Sequence, residues 1–290
     1  MQWQGRRGSA NVEDRRAQGG ASMGRVGCGG GLGTIIVLLL VWVLGGNPLQ
    51  FLGMLEGDSS TGGLGYTTQP YTPSAEQDSL ARFVSVVLAD TEDVWAAIFS
   101  QMGKTYRKPT LVLFNGYTTS GCGTAQSATG PFYCSVDERI YLDLSFFNQM
   151  ENQLGAGGDF AYAYVIAHEV GHHVQKLFGT LEQVNSLSAR SDQVTANRLS
   201  VALELQADFY AGVWANHTET MFQSLDPDDI EEALNAASAI GDDRLQEESQ
   251  GYSVPDSFTH GTSKQRHDWF YLGYRTGDVS QGNTFGSLFN

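Results

Sequence analysis

Several residue types are scarce in this chain of 290 residues, and each scarcity excludes a class of protein. Three cysteines are too few for a miniprotein held together by disulfides. The 17 basic residues are outnumbered by 32 acidic ones, which argues against nucleic-acid binding because phosphate contacts need clustered Lys and Arg. The 35 glycines follow no three-residue period, which excludes collagen. A hydrophobic content of 41% excludes a wholly disordered chain.

Proline is also scarce, and none of it falls between Pro131 and Pro227. Apolar residues at three- and four-residue steps predict a helix from Ala75, behind a Ser74–Gln77 capping box. Further helices are predicted at about 145–154, 159–178, 191–216, 227–247 and 263–275, and short strands at 110–115 and 139–143. This order predicts an α+β domain over residues 75–290, mainly helical with a small sheet.

The N-terminal part of the chain has a different composition. Residues 1–31 hold five arginines against two acids, a net charge of +3, and Val26–Leu55 carries no charge. A membrane helix needs about 20 apolar residues, and basic residues that flank it remain on the cytoplasmic side. We therefore expect a cytoplasmic leader (1–31) and one transmembrane signal anchor (32–54). A linker (55–74) would then lead to a periplasmic or extracellular domain. A cleaved signal peptide and a buried core helix are the alternatives.

Cys122 and Cys134 flank a short loop-rich segment. In a domain outside the cytoplasm they can form a disulfide, which in the chain-entropy model stabilises by about 3 kcal/mol. Two free buried thiols are the alternative.

The strongest motif is His168-Glu169-Val170-Gly171-His172, the H-E-x-x-H pattern, within a helical apolar context. Residues four apart share one helix face, so both imidazoles can reach a single Zn²⁺. Glu169 can reach a zinc-bound water, take its proton and later pass that proton to a leaving amine. His173 lies one step off the ligand face.

A catalytic zinc usually takes three protein ligands, so a third must come from elsewhere. Glu204 and Asp208 interrupt an otherwise apolar helical face and lie four residues apart. Burying such acids is costly unless they bind a cation or hydrogen-bond donors. One of them can ligate zinc while the other orients a ligating histidine. The alternative is an amphipathic helix with two surface acids.

The segments HEVGHH and ELQADFYAGVWA resemble the neutral zinc metallopeptidase family, bacterial membrane-anchored proteins of the zincin group. The E-x-x-A-D arrangement is similar to the third-ligand helix of gluzincins. The resemblance implies a zincin-like fold, Glu204 as the third zinc ligand and Asp208 as the carboxylate that orients a histidine. It also covers GCGTAQSATGPFYC, RIYLDLSFF and FTHGTSKQRHDWFYLGY, and so extends to about Tyr274.

These observations predict a membrane-anchored zinc metallopeptidase acting on a peptide or protein substrate. His260 is a further candidate, as a donor to the developing oxyanion, although capping a helix or bonding in the core would explain it equally well. His217 and His267 are interpreted as structural. A catalytically silent, zinc-stabilised binding module and a hydrolase of non-peptide amides are the alternatives. Retention of Glu169, which is not needed to hold the metal, favours an enzyme.

Overall fold

The computed structural model describes residues 1–18 and 72–289. Its described part is mostly helical with a small mixed sheet, which confirms the predicted α+β class. The predicted transmembrane helix over 32–54 lies outside the described residues. Within the described ranges, no helix is both long and apolar enough to cross a membrane.

Eight α-helices are present in the described residues. The first, α1, begins behind the predicted capping box, in which the Gln77 amide donates to the Ser74 hydroxyl and the Gln77 side chain accepts from the Ser74 amide. The helices are α1 (Ala75–Gln101), α2 (Ser145–Leu154), α3 (Asp159–Phe178), α4 (Thr180–Ser188), α5 (Gln193–Phe222), α6 (Asp229–Ala239), α7 (Asp242–Gln250) and α8 (Ser263–Thr276).

The predicted helix over 227–247 is divided into α6 and α7, and α4 was not predicted. The division falls at Gly241, where a Cβ would lie 2.3 Å from the Ser263 backbone nitrogen. This close approach brings the start of α7 against the start of α8.

Six short strands are present in the described residues: β1 (Val12–Asp14), β2 (Thr110–Phe114), β3 (Tyr117–Ser120), β4 (Gly123–Gln126), β5 (Phe132–Cys134) and β6 (Arg139–Asp143). Four of them form a sheet in the order β1-β2-β6-β5, and β3 and β4 form a separate two-stranded hairpin. The two central strands of the sheet, β2 and β6, are the two predicted from sequence, and they pair in parallel. The predicted disulfide is confirmed, with Cys122 and Cys134 joined and their Cα atoms 5.8 Å apart.

Helix α3 runs through the centre of the core and packs against α1, α5 and α6. Both sides of the helix are covered, so even its polar residues His168, Glu169 and His173 are buried. Helices α5 and α8 approach each other closely because each presents a glycine to the backbone of the other. A Cβ at Gly212 of α5 would lie 2.0 Å from the Phe270 backbone oxygen of α8.

Residues 1–18, which belong to the predicted leader (1–31), lie on the domain. Strand β1 adds to the sheet in parallel with β2, with Val12 opposite Leu111. The Met1 amine, fully buried, forms ion pairs with Asp159 at 2.8 Å and Asp229 at 3.0 Å. The charges of this segment therefore meet acids of the folded domain.

Candidate metal centre

His168 and His172 lie one turn apart on the same face of α3, with ring centroids 4.8 Å apart. Their Nε2 atoms both approach the carboxylate of Glu204, His168 at 3.2 Å and His172 at 3.4 Å. One ligand atom from each of the three residues lies within 4.8 Å of the other two. Two imidazoles and one carboxylate are a ligand set that suits zinc.

Glu204 reaches this point because α5 approaches α3 closely. Gly171 permits the approach: a Cβ there would lie 2.9 Å from the Ala207 backbone oxygen and 3.1 Å from the Ala207 Cα. The glycine within H-E-V-G-H therefore has a packing role, which the motif alone does not reveal. Burial raises the pKa of Glu204, but His172 and His168 outweigh it and hold the pKa well below its usual value.

The other ring nitrogen of each histidine faces an acceptor. His168 Nδ1 lies 2.8 Å from Asp208 Oδ1, and His172 Nδ1 lies 2.9 Å from Gln175 Oε1. A proton on each Nδ1 satisfies these hydrogen bonds and leaves Nε2 as the lone-pair nitrogen that a metal requires. Gln175 is itself held, because its amide donates to the Leu203 carbonyl at 2.7 Å.

Asp208 is fully buried and joins four hydrogen bonds. Tyr164 Oη donates to Oδ1 at 2.5 Å, and Arg266 of α8 donates to both carboxylate oxygens, from Nε at 2.8 Å and from Nη2 at 2.9 Å. Arg266 is itself only 2% exposed. Burial lowers the pKa of His168, but Asp208 and Glu204 outweigh it and raise the pKa to about 10.

Glu169 is buried next to the histidines but outside the three-residue ligand set. Burial, the largest effect, raises the pKa of Glu169, while His172, His168 and a hydrogen bond from the Tyr133 backbone N–H lower it. The net result is a carboxyl group with a raised pKa, held between the ligand helix and strand β5.

His260 lies in the loop before α8 and is paired with Asp242. Its Nδ1 is 3.1 Å from Asp242 Oδ1, and Asp242 Oδ2 accepts from the backbone N–H groups of Thr259, His260 and Gly261 at 2.6–2.9 Å. Burial lowers the pKa of His260, but Asp242 and Glu204 outweigh it and raise the pKa.

The remaining histidines make structural contacts. His173 Nε2 donates to the Arg107 carbonyl at 2.5 Å, while its Nδ1 accepts from the Tyr133 hydroxyl at 2.9 Å. His217 bonds to the Gly277 carbonyl at 2.9 Å. His267 lies beside Asp268, at 3.2 Å.

Four residues around the centre were missed by the sequence reasoning: Tyr164, Gln175, Asp242 and Arg266. Gln175 lies one turn beyond His172, so helix spacing offered a signal for it. Arg266 and Asp242 offered none. Arg266 meets Asp208 only through the packing of α8 on α5, and Asp242 meets His260 only where the start of α7 approaches the loop before α8.

A comparison with protein families places the chain in one whose description matches this centre. The family model described as "Putative neutral zinc metallopeptidase" matches residues 1–285, and the chain belongs to that family. The resemblance inferred from the two metal motifs is thereby confirmed.

Among curated proteins, the chain is 52% identical over 289 residues to the uncharacterized protein YpfJ of Escherichia coli, covering 99% of each chain. It is 42% identical over 214 residues to the uncharacterized proteins Mb2605 of Mycobacterium bovis and Rv2575 of Mycobacterium tuberculosis, covering 70% of this chain and 71% of theirs. No solved structure matches the chain.

Proposed function

We propose that this protein is a zinc-dependent peptidase in which His168, His172 and Glu204 hold one Zn²⁺. Glu169 accepts the proton of the attacking water and passes it to the leaving amine. The observation that carries the proposal is the convergence of two Nε2 atoms and one carboxylate within 4.8 Å, with a buried carboxyl group beside them. Bound zinc would supply Lewis acidity, which polarises a carbonyl oxygen and acidifies a coordinated water.

Glu169 acts as the general base and then as the general acid. Its raised pKa suits both roles, because a carboxylate that is too acidic accepts a proton poorly. The bond from the Tyr133 amide holds the side chain in place. Asp208 and Gln175 keep the Nδ1 protons on the two ligating histidines and so fix which nitrogen faces the metal.

His260 donates a hydrogen bond to the carbonyl oxygen as negative charge develops on it. Asp242 fixes the ring through Nδ1 and raises the pKa of His260, which favours the imidazolium, the form in which Nε2 also carries a proton to donate. Three backbone N–H groups hold Asp242 in turn, so the orientation of the ring is set before substrate arrives.

A peptide substrate is favoured by the position of β5. This strand is the last in the sheet order, it pairs antiparallel with β6 on one side, and its residue Tyr133 contacts Glu169. An extended chain can bond to such an edge through its own backbone, which is a common mode of peptide recognition. The alternative, a silent zinc-stabilised binding module, leaves the buried Glu169 beside the ligands without a role.

Four variants separate metal binding from chemistry. Glu169→Gln keeps shape but cannot accept the proton, so zinc content should stay near one per chain while turnover of an unstructured protein falls about a hundredfold or more. Glu204→Ala removes a ligand, so zinc and turnover should both be lost. Asp208→Asn should cost about 10- to 100-fold in zinc affinity or activity, because it acts through His168. Glu247→Gln, at an exposed position, is the control.

Zinc content is measured by elemental analysis and turnover by peptide release, with chelation and zinc restoration on the parent protein. Unchanged turnover in Glu169→Gln would refute the hydrolytic mechanism. A further variant, Asp208→Ala, tests the assignment of the third ligand. Full zinc in Glu204→Ala, together with loss of zinc in Asp208→Ala, would show that the third ligand is misassigned. A protein that binds one zinc but releases no peptide from a broad peptide mixture would be the silent module.

A further inference from the structure

The contacts of residues 1–18 bear on the membrane topology that the sequence predicts for this chain. Single-pass anchoring between residues 18 and 72 would put residues 1–18 on one side of the bilayer and the domain on the other. Strand β1 instead joins the sheet of that domain: the Leu111 amide donates to the Asn11 carbonyl at 2.9 Å, and the Arg15 amide donates to the Leu113 carbonyl at 2.7 Å.

Residues 6–11 also supply hydrogen-bond donors to two buried acids of α1. Asp90 is 4% exposed and pairs with Arg6 at 2.7 Å. Glu92 is 1% exposed and accepts hydrogen bonds from the Ser9 hydroxyl and, at 2.7 Å, from the Asn11 side chain. A buried carboxylate that loses its partners is strongly destabilising. Loss of this segment should therefore destabilise the domain, although Glu92 keeps its ion pair with Lys108 at 3.0 Å.

The first residues of the segment reach the start of the ligand helix. The Met1 amine bonds to Asp159, the first residue of α3, and the Gln2 amide donates to the Ser224 carbonyl at 2.7 Å. Trp3 packs edge-on against Phe83 with ring centroids 5.6 Å apart. These contacts reach α1, α3 and the end of α5, so the segment is built into the domain along its length.

The two ends that border residues 19–71 also meet. Arg16 is 5% exposed, and its guanidinium donates to the Gln77 carbonyl at 3.1 Å and to Asp78 at 3.0 Å, both in the first turn of α1. The chain therefore leaves and rejoins the same folded unit at one place.

We infer that residues 1–18 and 72–289 form one unit on a single side of the membrane, and that the chain does not cross the bilayer once between them. This replaces the topology expected from the arginine distribution, and it does not depend on the proposed catalysis.

Cysteine labelling of the full chain in cells tests this inference. Gln4→Cys and Thr105→Cys, both at exposed positions, are made separately in a Cys28→Ser background, where the bonded Cys122 and Cys134 do not react. A membrane-impermeant maleimide is applied to intact cells and to inverted vesicles, with detergent-treated samples as the control for reactivity. Both positions should be labelled in the same preparation. Labelling of one only in intact cells and the other only in inverted vesicles would overturn the inference.

A charge exchange tests the docking itself in the purified full chain. Arg6→Asp should lower the melting temperature, because it places two acids together at a buried site. Adding Asp90→Arg should restore much of that loss by re-forming the pair in reverse. If Arg6→Asp leaves the melting temperature unchanged, the segment is not docked and the inference fails.

Discussion

The ion pair between Arg266 and Asp208 joins the C-terminal helix α8 to the candidate metal centre, and its strength can be measured. Both side chains are buried, at 2% and 0% exposure, so neither charge is stabilised by water. In the described part of the chain, Asp208 Oδ2 accepts a hydrogen bond from Arg266 alone. Removing the arginine therefore leaves a buried carboxylate with an unsatisfied oxygen. Breaking such a pair costs about 3–5 kcal/mol.

We therefore expect Arg266→Met to lower the free energy of unfolding by about 3–5 kcal/mol, which is a large part of the 5–15 kcal/mol typical of a domain. Urea denaturation followed by circular dichroism measures the loss. Excess chelator should be present in every sample, because a ligand bound only to the folded state would add to the apparent stability. A loss below about 1 kcal/mol would mean that the pair is solvated, and would refute the reasoning.

Two further variants identify the cause of the loss. Arg275→Met removes an exposed arginine from the same helix and should change stability by no more than about 0.5 kcal/mol. The double variant Arg266→Met with Asp208→Leu removes both buried charges, so it should be more stable than Arg266→Met alone. If the loss in the double variant equals the sum of the Arg266→Met loss and the loss of Asp208→Leu measured alone, the residues do not interact.

Two other predictions concern stability away from the centre. Burial raises the pKa of Asp90 to about 7 against the opposing effect of Arg6, whereas the unfolded chain releases this proton near 3.8. The folded state thus holds the proton preferentially between these values, and the parent should lose about 1.4 kcal/mol of stability per pH unit from pH 5 to 6 relative to Asp90→Asn. Urea titrations of both proteins at each pH check this, and parallel pH profiles would contradict it. Gly212→Ala should lower the melting temperature, because its Cβ would lie 2.0 Å from the Phe270 oxygen, and overpacking of that kind costs about 1–3 kcal/mol or more. Helix propensity alone favours Ala by about 1 kcal/mol. A raised melting temperature would therefore show that α8 moves away from the added Cβ at little energetic cost.

Elements whose causes are local could be predicted from the sequence. The capping box at Ser74 and the 3.6-residue period define α1, and the same period with a terminal Gly179 defines α3. H-E-x-x-H places two imidazoles on one face because helix geometry requires it. Short apolar runs between turn residues were enough for the two central strands, β2 and β6.

Elements that depend on distant partners could not be predicted. Strand β1 is three residues long and forms only because β2 offers it an edge. Its arginine-rich surroundings were assigned to a cytoplasmic leader, since a count of charges does not show which acids those charges will meet. Arg6 and Arg16 are paired with acids of α1, which lie more than sixty residues away in the chain.

The chemistry of the candidate centre can be read from local sequence: two histidines and a glutamate lie on one helix, with two acids four residues apart on another. The groups that hold these residues in place are contributed by tertiary packing. Helix packing brings Arg266 to Asp208 across a separation of 58 residues, and a loop brings His260 to Asp242. The physical reason is that a motif records residues close along one element, whereas the orientation of a ligand depends on hydrogen bonds from other elements. Those partners become neighbours only when the core excludes water and the helices close on one another.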